Sequence, residues 1–161
     1  MKPTIYIHHT GKKNRGRYLS HANAFHQREG YPISTFGYYT FYQWFIEPQG
    51  KIIQTRREMD PDVVYKDAHK NSISVCLGGN FNNEFPTREQ YKALSLLFNS
   101  LKQRYGINHF NIKEHREYQN TFCPGLALPR GHFAQLFVYT QYNFFMRELN
   151  LLLIKFQNLL K

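Results

Sequence analysis

The chain has 161 residues, 42% of them hydrophobic and 17% aromatic, and carries a net charge of +10 from 21 Lys and Arg against 11 Asp and Glu. That content suits one compact domain with a core and excludes a disordered tail, and two cysteines, Cys76 and Cys123, are too few for a disulfide scaffold. The positive excess favours polyanions such as nucleic acid or an anionic cell envelope, and charge alone does not choose between them.

Residues 4–9 are β-branched or aromatic and alternate, predicting a strand. Gly11 to Arg17 reads as a basic loop. Ser20 is the predicted N-cap of a helix running to about Glu29, stopped by Gly30 and Tyr31-Pro32. The aromatic stretch Phe36 to Glu47, the turn Pro48-Gln49-Gly50 and the return Lys51 to Thr55 predict a hairpin. Residues 57–70 read as a polar surface loop. Ser72 to Leu77 is a short apolar strand ending at Gly78-Gly79. Thr87 with Gln90 three residues on forms a capping box for a helix with Leu94, Leu97, Phe98, Leu101 and Tyr105 on one face, ended by Gly106. Ile107 to Ile112 predicts a further strand, and His115 to Cys123 a loop.

After Pro129 the pattern is helical to the end. Phe145, Leu149, Leu152, Phe156 and Leu159 step four, three, four and three, with Leu153 and Leu160 beside them. The simplest expectation is a helix packed on the domain; the alternatives are a self-association face and an amphipathic surface-binding helix. The expected organisation is a domain over residues 1–138 and a helical extension over 139–161. Interleaved strands and helices predict an α/β fold, a central mixed sheet flanked by helices, with this amphipathic helix added at the C-terminus. The longest stretch free of charged residues, Gly131 to Met146, holds His132, Gln135, Gln141 and Asn143 and makes a poor bilayer span. No secretory leader is read at the N-terminus.

The chemistry concentrates in two patches far apart in sequence. One is Ile5-Tyr6-Ile7-His8-His9-Thr10; the other is His115 followed by Cys123-Pro124-Gly125. Imidazoles and a thiol are ligand types that zinc accepts, and a zinc held by three protein groups keeps a fourth position for water or substrate. The distance between the patches excludes a local zinc knuckle. Alternation puts His8 and His9 on opposite faces of their strand, without saying which faces a metal.

These residues carry a resemblance. Ile-Tyr-Ile-His-His-Thr at 5–10, Phe-Gly-Tyr-Tyr-Thr-Phe at 36–41, Pro-Gln-Gly-Lys-Ile-Ile-Gln-Thr-Arg at 48–56, Asn-Ser-Ile-Ser-Val-Cys-Leu-Gly-Gly-Asn-Phe at 71–81 and His-Arg-Glu-Tyr-Gln-Asn-Thr-Phe-Cys-Pro-Gly at 115–125 occur in one order. In that order they resemble the zinc-dependent N-acetylmuramoyl-L-alanine amidases of type 2, the family of phage endolysins and peptidoglycan recognition proteins. The likeness covers roughly residues 4–135.

The resemblance implies a Zn²⁺ ion on His8, His115 and Cys123, with His9 a packed or supporting histidine and Cys76 in the core. It implies hydrolysis of the amide between N-acetylmuramic acid and L-alanine in peptidoglycan by zinc-activated water. Tyr38, after Gly37, is the implied oxyanion donor, and Thr121 stands where phage relatives often carry lysine. Tyr39 replaces a histidine common at its position, so the tyrosine assignment can slip by one. Cys76 replaces a glutamate of some relatives, so no carboxylate base is expected there. Glu114 and Glu117 are read either as ligand-orienting groups or, more simply, as solvated loop charges. The segment Ala68-His69-Lys70 is shorter than the matching wall loop of relatives.

The expected function is therefore a bacteriolytic, phage-type endolysin, made in the cytoplasm and acting on the cell wall, its positive charge holding it on anionic envelope polymers. The alternative is a peptidoglycan-binding module of the same fold that does not cut. A nucleic-acid-binding protein is the third reading, and no nucleic-acid motif supports it.

Overall fold

The computed structural model describes residues 2–12, 16–58, 60 and 71–159, the last eight as backbone only. The readings made for Lys13 to Arg15, for residues 61–70 including His69, and for the side chains beyond Leu151 lie outside the described residues.

Five strands form one mixed sheet: β1 (Thr4–His9), β2 (Trp44–Ile46), β3 (Ile52–Gln54), β4 (Ser72–Leu77) and β5 (Ile112–Glu114), in the order β3-β2-β4-β1-β5. β1 runs parallel to both β4 and β5, β2 is parallel to β4, and only edge strand β3 is antiparallel, as the partner of β2 in the hairpin. Among the described residues the helices are α1 (Tyr18–Arg28), α2 (Arg88–Tyr105) and α3 (His132–Leu159), besides two short 3-10 turns.

Alternation divides the side chains of β1 and β4 between two cores. Ile5, Ile7, Ile73, Val75 and Leu77 point to one face and pack with Leu94, Leu97, Phe98 and Leu101 of α2 and Phe133 and Phe137 of α3. Cys76 and Phe45 point to the other, under Leu19 of α1. His8, Cys76 and Phe45 stand opposite one another in register, so His8 belongs to the α1 face.

The α2 capping box forms as expected: Gln90 N–H donates to the Thr87 hydroxyl at 3.1 Å and Thr87 N–H to Gln90 Oε1 at 3.0 Å. Gly106 closes the helix in a left-handed conformation, φ 63°. Three sequence readings are corrected. α1 starts at Tyr18 rather than after Ser20, because its first amides find a distant acceptor: Leu19 N–H donates to Glu47 Oε1 at 3.2 Å. The Ser20 hydroxyl instead donates back to the Arg17 carbonyl. Only Trp44–Ile46 of the aromatic stretch pairs as strand. The buried Arg56 fastens the preceding loop, donating from Nε to the Thr40 carbonyl at 3.0 Å. Finally, the Asn108 side chain accepts from Phe110 N–H and turns 109–111 into a 3-10 turn, which delays β5 to Ile112.

Candidate metal centre

β1 and β5 are adjacent and parallel, and their pairing ends with Ile7 opposite Glu114. The next residues of the two, His8 still within β1 and His115 just past the end of β5, therefore stand side by side. Their Nδ1 atoms lie 3.2 Å apart. Cys123 Sγ lies 3.9 Å from His8 Nδ1, and one ligand atom from each of the three residues falls within 4.8 Å of the others. Tetrahedral zinc ligands at ordinary bond lengths are separated by roughly 3.3–3.6 Å. The two imidazoles already meet that spacing, and the thiol needs a small inward movement. The donor set, two imidazole nitrogens and a sulfur, fits zinc chemically.

Supporting hydrogen bonds fix two of these groups, His115 and Cys123. His115 Nε2 lies 2.8 Å from Gln119 Oε1, an acceptor, so the proton sits on Nε2 and the Nδ1 lone pair faces His8 and Cys123. Cys123 Sγ accepts from the His9 backbone N–H at 3.4 Å, and Cys123 N–H donates to the Thr121 hydroxyl at 3.2 Å. Thr121 thus holds the backbone of the cysteine loop.

Arg116 ties that loop to β5, donating to the carbonyls of Gly125, Leu128 and Pro129 at 3.0–3.1 Å while pairing with Glu114. Glu114 is consequently buried rather than solvated. Glu117 accepts from Glu114 N–H and pairs with Lys113. Gly125, at φ +133°, lies so close to the Phe81 carbonyl that a Cβ would stand 2.2 Å from its oxygen.

The second histidine of the pair has a structural role. His9 Nδ1 accepts from Phe81 N–H at 3.1 Å, and burial pushes its pKa down to about 4, so the ring is neutral. Burial also lowers the pKa of His115, with the Gln119 contact opposing, and pushes the Cys123 thiol up to about 12. A thiolate therefore needs a neighbouring cation, and uptake of a metal is coupled to release of that proton.

The two tyrosines differ in place. Tyr38 lines a recess on one side of α1 with Arg17, Leu19, Ser20, Asn23 and Glu47. Tyr42, four residues on, is the tyrosine whose ring packs against His8, at 5.2 Å between centroids. Burial raises the pKa of its hydroxyl well above the usual phenol value, with Cys76 and Cys123 adding to the rise, so it stays protonated. Cys76 itself is fully buried and its thiol pKa is raised by the same cause. Sequence reasoning missed Tyr42, Gln119 and Arg116. The first is one tyrosine among several in an aromatic run, and the other two lack any local pattern.

A sequence profile of the N-acetylmuramoyl-L-alanine amidase family matches residues 3–126. The chain belongs to this family. Among curated protein sequences no relative matches. Among solved structures it is similar to the N-acetylmuramoyl-L-alanine amidase LysC of Clostridium intestinale, 23% identical with a TM-score of 0.69, over 88% of this chain and 87% of that one. It is similar to the endolysin of Thermus scotoductus bacteriophage Ph2119, 20% identical with a TM-score of 0.64, over 85% and 86%. The peptidoglycan recognition protein PGRP-LB of Drosophila is 21% identical with a TM-score of 0.62, over 78% and 76%. At these identities the likeness is one of fold.

Proposed function

We propose that the protein is a zinc-dependent peptidoglycan hydrolase of the endolysin type, cutting the amide between N-acetylmuramic acid and L-alanine. The observation that carries this reading is the approach of one ligand atom each of His8, His115 and Cys123 to within 4.8 Å of one another, although His8 lies more than a hundred residues from the other two. Two neutral imidazoles and one thiolate leave a net charge of about +1 on a bound zinc and a fourth position open. Such an ion supplies Lewis acidity toward an amide carbonyl and lowers the pKa of water.

The protein's own groups do the rest. Gln119 and the His9 amide hold two of the ligands in orientation. Tyr42, protonated and packed on His8, is the better-supported donor to a developing oxyanion than Tyr38. The Thr121 oxygen accepts from Cys123 N–H, which leaves its own proton free to donate to substrate. The net charge of +10 holds the enzyme against an anionic wall.

The test is hydrolysis of purified cell walls, read as newly released L-alanine amino groups, for the parent chain, Tyr42→Phe and Tyr38→Phe, with zinc content measured on each. Loss of one oxyanion donor lowers kcat by about 10²–10³. That loss is expected for Tyr42→Phe at unchanged zinc content, with Tyr38→Phe close to the parent. Wall binding with bound zinc and no amino-group release would replace the hydrolase with a binding module.

A further inference from the structure

A basic cavity begins one ring away from the metal centre. Tyr42 packs against His8, at 5.2 Å between ring centroids, and also against His26 of α1, again at 5.2 Å. The same tyrosine lines a cavity of about 190 Å³ between α1 and the loop that follows β1.

The sequence of α1 builds one wall. His21, Phe25 and Arg28 step four and three, with Ala22 and His26 between them, so a single face of the helix lines the cavity. His26 is buried and burial lowers its pKa, so this part of the wall is uncharged. Lys12, from the loop after β1, brings a second cation beside Arg28. Both are exposed, and neither side chain forms a salt bridge among the described residues. No described carboxylate lines the cavity; Glu29 follows Arg28 in the chain but lies outside the lining.

Two cations without an ion-pair partner, set beside the apolar groups of Ala22 and Phe25, suit an anion carried on a short apolar chain. The amide to be cut sends two chains away from the metal centre. On its carbonyl side is a neutral sugar. On its nitrogen side is a peptide, in which the residue after L-alanine is a glutamate joined through its γ-carboxyl. The α-carboxyl of that glutamate is either free or amidated. Only the peptide side therefore offers carboxylates to Lys12 and Arg28. A phosphate of an envelope polymer would meet the same cations, but its place is not tied to the scissile bond. The cavity is tied to it, because it starts at the tyrosine that packs on His8.

We propose that Lys12 and Arg28 are specificity residues that bind the free α-carboxylate of the glutamate next to L-alanine, so that stems with this carboxyl free are preferred over amidated stems. This deepens the proposed function and takes from it the identity of the substrate.

The test is calorimetric binding of two product-side peptides, which the enzyme does not cut, to the full zinc-loaded chain. Both are L-alanyl-D-glutamate with the γ-carboxyl capped as a methylamide; one keeps the α-carboxylate and the other carries an amide there. The acid is expected to bind about three- to thirtyfold tighter, the range that two exposed charge pairs supply. That gap is expected to narrow as salt is raised. Lys12→Gln combined with Arg28→Gln is expected to close it, with zinc content and thermal unfolding unchanged. Equal affinity of the two peptides for the parent chain, or a gap that survives in the double variant, overturns the proposal. So does glycerol phosphate that binds as tightly as the acid and displaces it, which would make the cavity a site for envelope phosphates. Wall hydrolysis is measured alongside. Preference for the acid in a chain that releases no L-alanine amino groups refutes the hydrolase and supports the carboxylate site, whereas hydrolysis without any preference does the reverse.

Discussion

A small number of side chains decide whether the three ligand groups present the right atoms. His115 can offer either ring nitrogen, and the 2.8 Å contact from Nε2 to Gln119 selects Nδ1 by holding the proton on the far side. Gln119→Ala removes that selection while keeping all three ligands. Partners of this kind are typically worth about 10–100-fold in metal affinity. The expected result is weaker zinc binding by that factor in a competition titration with a colorimetric chelator, with little change in thermal stability of the chelated protein. Equal affinity would mean that the ring is oriented by its packing against Tyr118 and His8 instead. At this scale the sequence was legible in part. His8, His115 and Cys123 stand in short distinctive patterns, whereas Gln119 is one polar residue in a loop and acquires its role only from the turn that brings it back over His115.

At the scale of elements, Gln90 links helix to sheet. Its side-chain oxygen completes the cap of α2, while its Nε2 donates to the carbonyls of Ile46 at 3.2 Å and Gly78 at 2.9 Å. One amide thus closes the ends of β2 and β4 and explains why the capping position carries Gln. Gln90→Glu keeps the capping oxygen but sets a buried carboxylate against two carbonyl oxygens. It is expected to destabilise by about 2–4 kcal/mol, more than the ~1 kcal/mol of losing a cap alone by Thr87→Ala. Denaturant unfolding of both variants checks this order, and an equal or reversed order would contradict it.

The elements that sequence reasoning located well are those whose signals are local. The capping box and Gly106 bound α2, and alternation defines β1 and β4. The misplaced boundaries, at the start of α1 and at β5, depend on Glu47 reaching Leu19 from the turn after β2 and on an asparagine turn competing with strand pairing.

For the whole molecule, stability should follow the protons that folding excludes. Burial lowers the pKa of His26, with its hydrogen bond to the Ala22 carbonyl opposing, and burial likewise lowers that of His132. The unfolded chain takes up these protons near pH 6.5, the folded chain only at lower pH. Their contribution is therefore complete above pH 6.5 and is lost as pH falls toward the folded values. Glu47, whose pKa is raised by burial, contributes in the opposite sense. The prediction is a fall in Tm between pH 7.5 and 5.5 that is smaller in His26→Asn than in the parent. An identical slope would show that His26 is not titrating with unfolding.

The account as a whole rests on one ion joining the two ends of the family-matched region, and the most direct measurement is zinc per chain. The parent protein, stripped with chelator and re-equilibrated with zinc, is expected to hold one ion per chain after dialysis, and Cys123→Ser to hold far less while remaining folded. A folded parent chain that retains no zinc, or a Cys123→Ser variant that retains it as tightly, would contradict the account.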